Sequence, residues 1–229
     1  MPESSESPST VVVSAADLAR YIDHTLLKPD ATAQAIERLC AEARQHRFYA
    51  VCVNASRIEL CRHQLEDTDV KVATVVGFPL GATDPDTKRF EAEAAIDLGA
   101  HEIDVVINIG RIKDGDWKYV ERELIDVVEA ADERPVKVII ETCLLTLEEK
   151  KTACEVVVGA GAHFVKTSTG FSSGGATIDD VRLMREVVGS DCGVKASGGI
   201  RDTATALAMI AAGATRLGTS NSVAIVQRA

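Results

Sequence analysis

Eight short strand-like runs alternate with helix-like runs along this chain, and no two strands follow each other without a helical segment between them. The strand patterns fall at 21–27, 50–54, 72–78, 102–108, 136–142, 163–169, 193–197 and 216–219. The helical ones fall at 31–46, 56–64, 84–98, 117–131, 147–158, 178–188 and 203–212. Strict alternation implies parallel strands joined by right-handed crossovers, and eight such strands close more naturally into a (β/α)8 TIM barrel than into an open sheet. The open-sheet turn G-x-G-x-x-G is absent; Gly77-Phe78-Pro79-Leu80-Gly81 is the nearest glycine pair, and its proline and spacing do not fit. Aromatic residues are only 4% of the chain, so the core must be built from Val, Ile, Leu and Ala, as suits parallel strands covered by helices. Thr146 and Asp202 are placed to cap helix starts, and Gly99, Gly159, Gly189 and Gly213 to end helices. A short extra helix, capped by Ser14 and running to about residue 19, precedes the first strand. Residues 1–10, rich in Ser, Glu and Pro, read as a disordered tail, and 11–229 as a single α/β domain.

Composition narrows the function classes. A net charge of −10 argues against a nucleic-acid surface, though a local nest of backbone N–H groups can still bind an anion. Val11-Val12-Val13 is too short for a signal core or a membrane span. The six cysteines form no C-x-x-C pair and stand in no zinc-finger spacing with the five histidines, so we expect reduced thiols, a cytoplasmic location and no metal. Cys52 and Cys143 read as small core residues in strands.

Asp104 interrupts the fourth strand pattern, Lys166 the sixth and Lys195 the seventh. A buried charge is costly unless paired. Lys71 and Lys137 read as ordinary charges at strand starts. Lys166 and Lys195 are instead followed at once by small hydroxyl residues and glycine, as where a strand runs out into a loop. Side-chain alternation sets Lys166 with Ser168, Lys195 with Ser197, and Asp104 with Asn108, all inward, while Val105, Ile107 and Val165 face the helices. Barrel sites lie at the strands' C-terminal ends, so three strands converge there on two amines and a carboxylate. That set suits a lysine nucleophile: burial and a neighbouring ammonium both favour the neutral amine that attacks a carbonyl. The alternative is a Lys–Asp ion pair that merely fills the barrel. Gly198-Gly199-Ile200-Arg201 after strand seven and Gly218-Thr219-Ser220-Asn221 after strand eight occupy the usual phosphate position of such barrels, with Gly170 and 172–175 available to complete the cradle. The same glycines would also serve plain tight turns.

The runs Ile22-Asp23-His24-Thr25-Leu26-Leu27-Lys28-Pro29, Val76-Gly77-Phe78-Pro79-Leu80-Gly81, Glu102-Ile103-Asp104-Val105-Val106-Ile107-Asn108, Phe164-Val165-Lys166-Thr167-Ser168-Thr169-Gly170, Gly193-Val194-Lys195-Ala196-Ser197-Gly198-Gly199-Ile200-Arg201 and Arg216-Leu217-Gly218-Thr219-Ser220 resemble those of the deoxyribose-phosphate aldolases. They span residues 21 to 220. The resemblance implies a class I aldolase that cleaves 2-deoxyribose 5-phosphate reversibly to acetaldehyde and glyceraldehyde 3-phosphate, with no metal or organic cofactor. It implies that Lys166 forms the Schiff base, that Asp104 and Lys195 move the protons, and that Asp23, Thr169, Gly170, Gly198, Gly199, Gly218 and Ser220 line the substrate and phosphate site. A homo-oligomer, dimer or tetramer, is expected, with a sugar phosphate as partner and neither nucleic acid nor membrane. The chain departs from some members at Phe171, where they carry lysine, and at its last residues, where they carry a tyrosine. A different Schiff-base barrel aldolase and a non-catalytic phosphosugar-binding barrel are the rival readings.

Overall fold

A computed structural model describes residues 15–227; the tail expected at 1–10 and the capping Ser14 lie outside the described residues. Strands β1 (Ile22–Leu26), β2 (Ala50–Val53), β3 (Lys71–Val76), β4 (Glu102–Val106), β5 (Val136–Ile139), β6 (Phe164–Lys166), β7 (Gly193–Ser197) and β8 (Arg216–Thr219) pair in sequence order, all parallel, and β8 closes on β1. The helices are α1 (Ala15–Ala19), α2 (Ala33–His46), α3 (Ile58–Gln64), α4 (Pro85–Asp97), α5 (Ile109–Lys113), α6 (Trp117–Ala130), α7 (Leu147–Gly159), α8 (Ile178–Val188), α9 (Thr203–Ala211) and α10 (Ser222–Gln227). This is the expected (β/α)8 barrel with its short N-terminal helix.

Alternation along the strands divides the side chains between two environments. The outer set, including Val51, Ile103, Val105, Val138, Val165, Val194 and Leu217, packs with the helices into the main core. The inner set mixes charged and polar residues with apolar ones, among them a small cluster of Leu27, Cys52, Ala73 and Val75 and, level with the charges, Val106 and Ile139. Local chemistry supports the helix positions. Thr146 caps α7 in a reciprocal pair with Glu149, and Asp202 accepts from Thr205 N at the start of α9.

Two short helices, α5 and α10, were not expected. Asn108, read as the inward end of a strand, instead caps α5, its side chain accepting from Arg111 N at 3.2 Å. Helix α10 packs against α1, a long-range contact that no local pattern announces. Cys52 is buried as expected, but Cys143 is exposed, in a 3-10 turn (Thr142–Leu144) that follows the end of β5.

Candidate active site

Barrel closure brings Asp104, Lys166 and Lys195 together, and their surroundings are richer in charge than two lysines and one carboxylate. Asp104 on β4 stands level with Lys137 on β5, Lys166 on β6 with Lys195 on β7, and Lys195 with Arg216 on β8. Asp104 Oδ1 accepts from Lys137 Nζ at 2.7 Å, and Asp104 Oδ2 accepts from both Lys166 Nζ and Lys195 Nζ at 2.7 Å. Lys195 also donates to Asp23 Oδ2, and Arg216 donates to Asp23 Oδ1 and Glu102 Oε2 at 3.0 Å. Lys137 Nζ lies 2.7 Å from that same Glu102 oxygen. Followed from partner to partner, Asp104, Lys195, Asp23, Arg216, Glu102 and Lys137 form a closed ring in which acids and bases alternate. Lys166 hangs from this ring by Asp104 alone.

Charge counting then separates the lysines. The ring holds three carboxylates and three cations, all nearly or fully buried, and is neutral by itself. Lys166 is a fourth basic group; protonated, it would leave an uncompensated positive charge in the barrel, whereas neutral it leaves none. The acidities agree. Burial alone would raise Asp23, yet Lys195, Arg216 and Lys137 more than offset it and hold its carboxyl at about 2. For Asp104, too, burial is outweighed, by Lys137, Lys166 and Lys195, and it lies well below the ordinary carboxylate value. Burial would lower Lys195, but Asp104 and Asp23 overcome it and push the amine above its ordinary value; Asp104 and Glu102 do the same for Lys137. For Lys166 burial prevails: Asp104 opposes it, Lys195 adds to it, and the amine lies below the ordinary lysine value.

Of these groups only Lys166 lines the cavity at the mouth of the barrel, whose volume is about 390 Å³. Asp104 and Lys195 lie beneath it with no exposed surface. Gly170, Gly198, Gly199, Gly218, Ser220 and Thr169 line the same cavity, so the loops after β6, β7 and β8 meet there. Asp23, also expected among the ligand-contacting residues, sits lower as a member of the ring. Loop six docks on loop seven backbone to backbone: Ala176 N donates to Ser197 O and Gly198 O, and a Cβ on Gly175 would lie 2.4 Å from Gly198 O.

Glu102, Lys137 and Arg216 were missed in the sequence. Lys137 does lie at the start of its strand, but it points inward and is completely buried. A charge at a strand start normally meets water, and only the inward alternation with Asp104 in the neighbouring strand could have marked this one. Thr25 also lines the cavity, with its hydroxyl donating to Asp23 O at 2.8 Å.

Gly218 makes room for Lys195. A Cβ there would stand 3.0 Å from Ser197 Cβ and 3.1 Å from Lys195 Cε, on an amine already held by two carboxylates. Gly218→Ala is therefore expected to slow turnover about ten- to a hundredfold with little change in melting temperature. Turnover equal to the parent's in steady-state assays would mean that the seating of Lys195 is unimportant.

Comparison with known proteins gives the family and the fold. The model of the DeoC/LacD family aldolases matches residues 18–226. The deoxyribose-phosphate aldolase of Thermococcus gammatolerans is 60% identical over 217 residues, covering 93% of this chain and 96% of the relative. Deoxyribose-phosphate aldolase 1 of Bacillus licheniformis is 60% identical over 211 residues, covering 92% and 95%. Among solved structures, the tetrameric deoxyribose phosphate aldolase of Aeropyrum pernix superposes with a TM-score of 0.87 at 34% identity, covering 93% of this chain and 91% of that one.

Proposed function

The chain belongs to the DeoC/LacD family of aldolases, and from that premise we propose that it cleaves 2-deoxyribose 5-phosphate reversibly to acetaldehyde and glyceraldehyde 3-phosphate through an imine on Lys166. The observation that carries the residue assignment is that Lys166 alone among the buried charges lines the cavity, and is the one basic group bonded to the neutral ring without belonging to it.

In this reading the neutral Lys166 amine attacks C1 of the open-chain sugar, and water leaves as the protonated imine forms. The C3 hydroxyl then gives up its proton, the C2–C3 bond breaks, and its electron pair passes to C2 and the imine nitrogen as an enamine. Glyceraldehyde 3-phosphate departs. Protonation at C2 and hydrolysis release acetaldehyde and restore the amine. Asp104, within hydrogen-bond distance of both Lys166 and Lys195, supports a proton path between the reacting nitrogen and a protonated Lys195. The iminium is the electron sink, so the carbon–carbon cleavage asks for no other electrophile. The loops of Gly170, Gly198, Gly199, Gly218 and Ser220 are the proposed seat of the phosphate.

Sodium borohydride added during turnover, followed by peptide mass mapping, tests the reading. An ethyl group on the peptide bearing Lys166 is expected. The reduced five-carbon sugar-phosphate imine on the same peptide is expected beside it; an adduct on that peptide of neither mass would point to an aldolase acting on a different donor, and no adduct at all to a non-catalytic sugar-phosphate binder.

A homo-oligomer belongs to the same proposal. The Aeropyrum pernix relative is described as tetrameric, and Leu80 and Phe90, 77% and 68% exposed, are apolar surface that association would cover. A cytoplasmic setting is proposed with it; among the described residues no helix is long and apolar enough to cross a membrane.

A further inference from the structure

We propose that Glu141 is a positioning residue for the phosphate end of the site, acting through Thr169 on the backbone of loop six. The inference rests on the sugar-phosphate reading above.

Glu141 lies two residues beyond Ile139, the end of β5, and adopts φ 51°, ψ 65°, in the left-handed region. Four non-glycine residues among those described have positive φ, and Glu141 is the only buried one, at 3% exposure. A carboxylate in strained backbone and out of water is doubly unfavourable unless its oxygens are satisfied. Among the described residues no cation lies within ion-pair distance of it.

Its hydrogen-bond partner is instead loop six. Glu141 Oε2 accepts from Thr169 N at 3.2 Å and from the Thr169 hydroxyl. That hydroxyl in turn accepts from Phe171 N at 3.0 Å. The Thr169 hydroxyl is thus committed as donor to Glu141 and as acceptor from Phe171, and Gly170, at φ 84°, is held between the two. Strand exits on either side are already stitched, with Ile140 N donating to Lys166 O at 3.0 Å and Thr142 N to Thr167 O at 2.9 Å. Phe171 packs edge-on against Phe78 with ring centres 5.2 Å apart, and this holds the far side of the loop.

A carboxylate cannot itself hold a phosphate, because like charges repel. Its effect on anion binding must be indirect. By accepting both donors of Thr169 it fixes the course of the loop that brings Gly170 into the cavity, and the strain at Glu141 is the cost of aiming the carboxylate there.

Glu141→Gly and Glu141→Gln test this. Glycine adopts the observed φ without strain, so the first variant removes the carboxylate while relaxing the backbone; glutamine keeps one acceptor oxygen. Each is assayed with 2-deoxyribose 5-phosphate, with unphosphorylated 2-deoxyribose, with inorganic phosphate as inhibitor, and by borohydride trapping with acetaldehyde. In Glu141→Gly the kcat/KM preference for the phosphorylated sugar is expected to fall about tenfold, the effect of one charge-assisted hydrogen bond. Phosphate inhibition should weaken in parallel and acetaldehyde trapping should persist, with Glu141→Gln recovering part of the preference. An unchanged preference would overturn the proposal, as would a fall in the two substrates and in trapping by the same factor, since that describes a merely structural group. Failure of the parent protein to be trapped would instead strike the aldolase reading and leave the loop geometry untouched.

Discussion

Lys166→Leu is expected to lose carbon–carbon cleavage by at least about ten-thousandfold and to lose borohydride trapping completely, while melting no lower than the parent. The activity loss follows because Lys166 is the amine that lines the cavity and the group proposed to become covalent. The preserved stability is the more discriminating half. Lys166 stands outside the ring of Asp104, Lys195, Asp23, Arg216, Glu102 and Lys137, so its removal leaves every ring carboxylate with a basic partner on each side. Exchanging that amine, whose proton is held less tightly than an ordinary lysine's, for a hydrocarbon of similar reach leaves each ring carboxylate with both of its cations. Arg216→Leu supplies the contrast, because it strips a cation from both Asp23 and Glu102. Breaking a buried ionic network by deleting one partner costs about 3–5 kcal/mol, so that variant should melt well below both the parent and Lys166→Leu. Thermal denaturation of the three proteins side by side makes the comparison. If Lys166→Leu were the least stable, Lys166 would be a charged member of the network and not its neutral appendage.

Lys195→Leu is expected to be severely impaired, with its residual imine formation displaced to higher pH. Lys195 bridges Asp104 and Asp23 and is held protonated by them. Without it the ring carries three carboxylates against two cations, and a proton on Lys166 restores the balance. The loss of a neighbouring ammonium acts in the same direction, since Lys195 is one of the groups that lower Lys166. The pKa of Lys166 therefore rises. The reactive neutral fraction, which grows as pH climbs through that pKa, is smaller at neutral pH, by about tenfold for each unit of rise. The penalty to stability is that of any broken buried network, about 3–5 kcal/mol against the 5–15 kcal/mol typical of a domain, so the variant should remain folded at 25 °C with a lowered melting temperature. Single-turnover imine formation as a function of pH is the measurement. Superimposable profiles for the two proteins would remove Lys195 from the tuning of Lys166 and leave it only proton transfer or packing.

The barrel itself was legible in the sequence because the crossovers carry local signals: apolar periodicity, in most a capping side chain such as Thr146 or Asp202, and in several a glycine near the helix end. Lys166 and Lys195 were legible because each precedes small residues at a strand exit, where a buried amine is out of place. The balance of the cluster was not. Glu102, Lys137 and Arg216 lie at or beside strand starts, where charges ordinarily face water, and only closure of β8 onto β1 brings Arg216 against Asp23. From the sequence the site therefore showed two lysines and one carboxylate, a surplus of one basic group with nothing to say which; in the fold the surplus is still one, and the ring assigns it to Lys166. Glu141 was missed because its signal is a backbone angle. The segment around it read as a strand through residue 142, and the left-handed turn at Glu141 ends that course, which also carries Cys143 out to the surface.

The central claim is that a neutral six-membered ring leaves Lys166 as the one uncharged lysine in the barrel. NMR titration of protein carrying lysine labelled at the ε-carbon addresses it directly, with the Lys166 resonance identified by its absence from Lys166→Leu and the Lys195 resonance by its absence from Lys195→Leu. Lys166 is predicted to lose its proton below the ordinary lysine value of about 10.4, while Lys137 and Lys195 stay protonated across the whole range in which the protein is folded. A Lys166 that titrates at or above the ordinary value, with Lys195 or Lys137 giving up its proton first, would contradict the account.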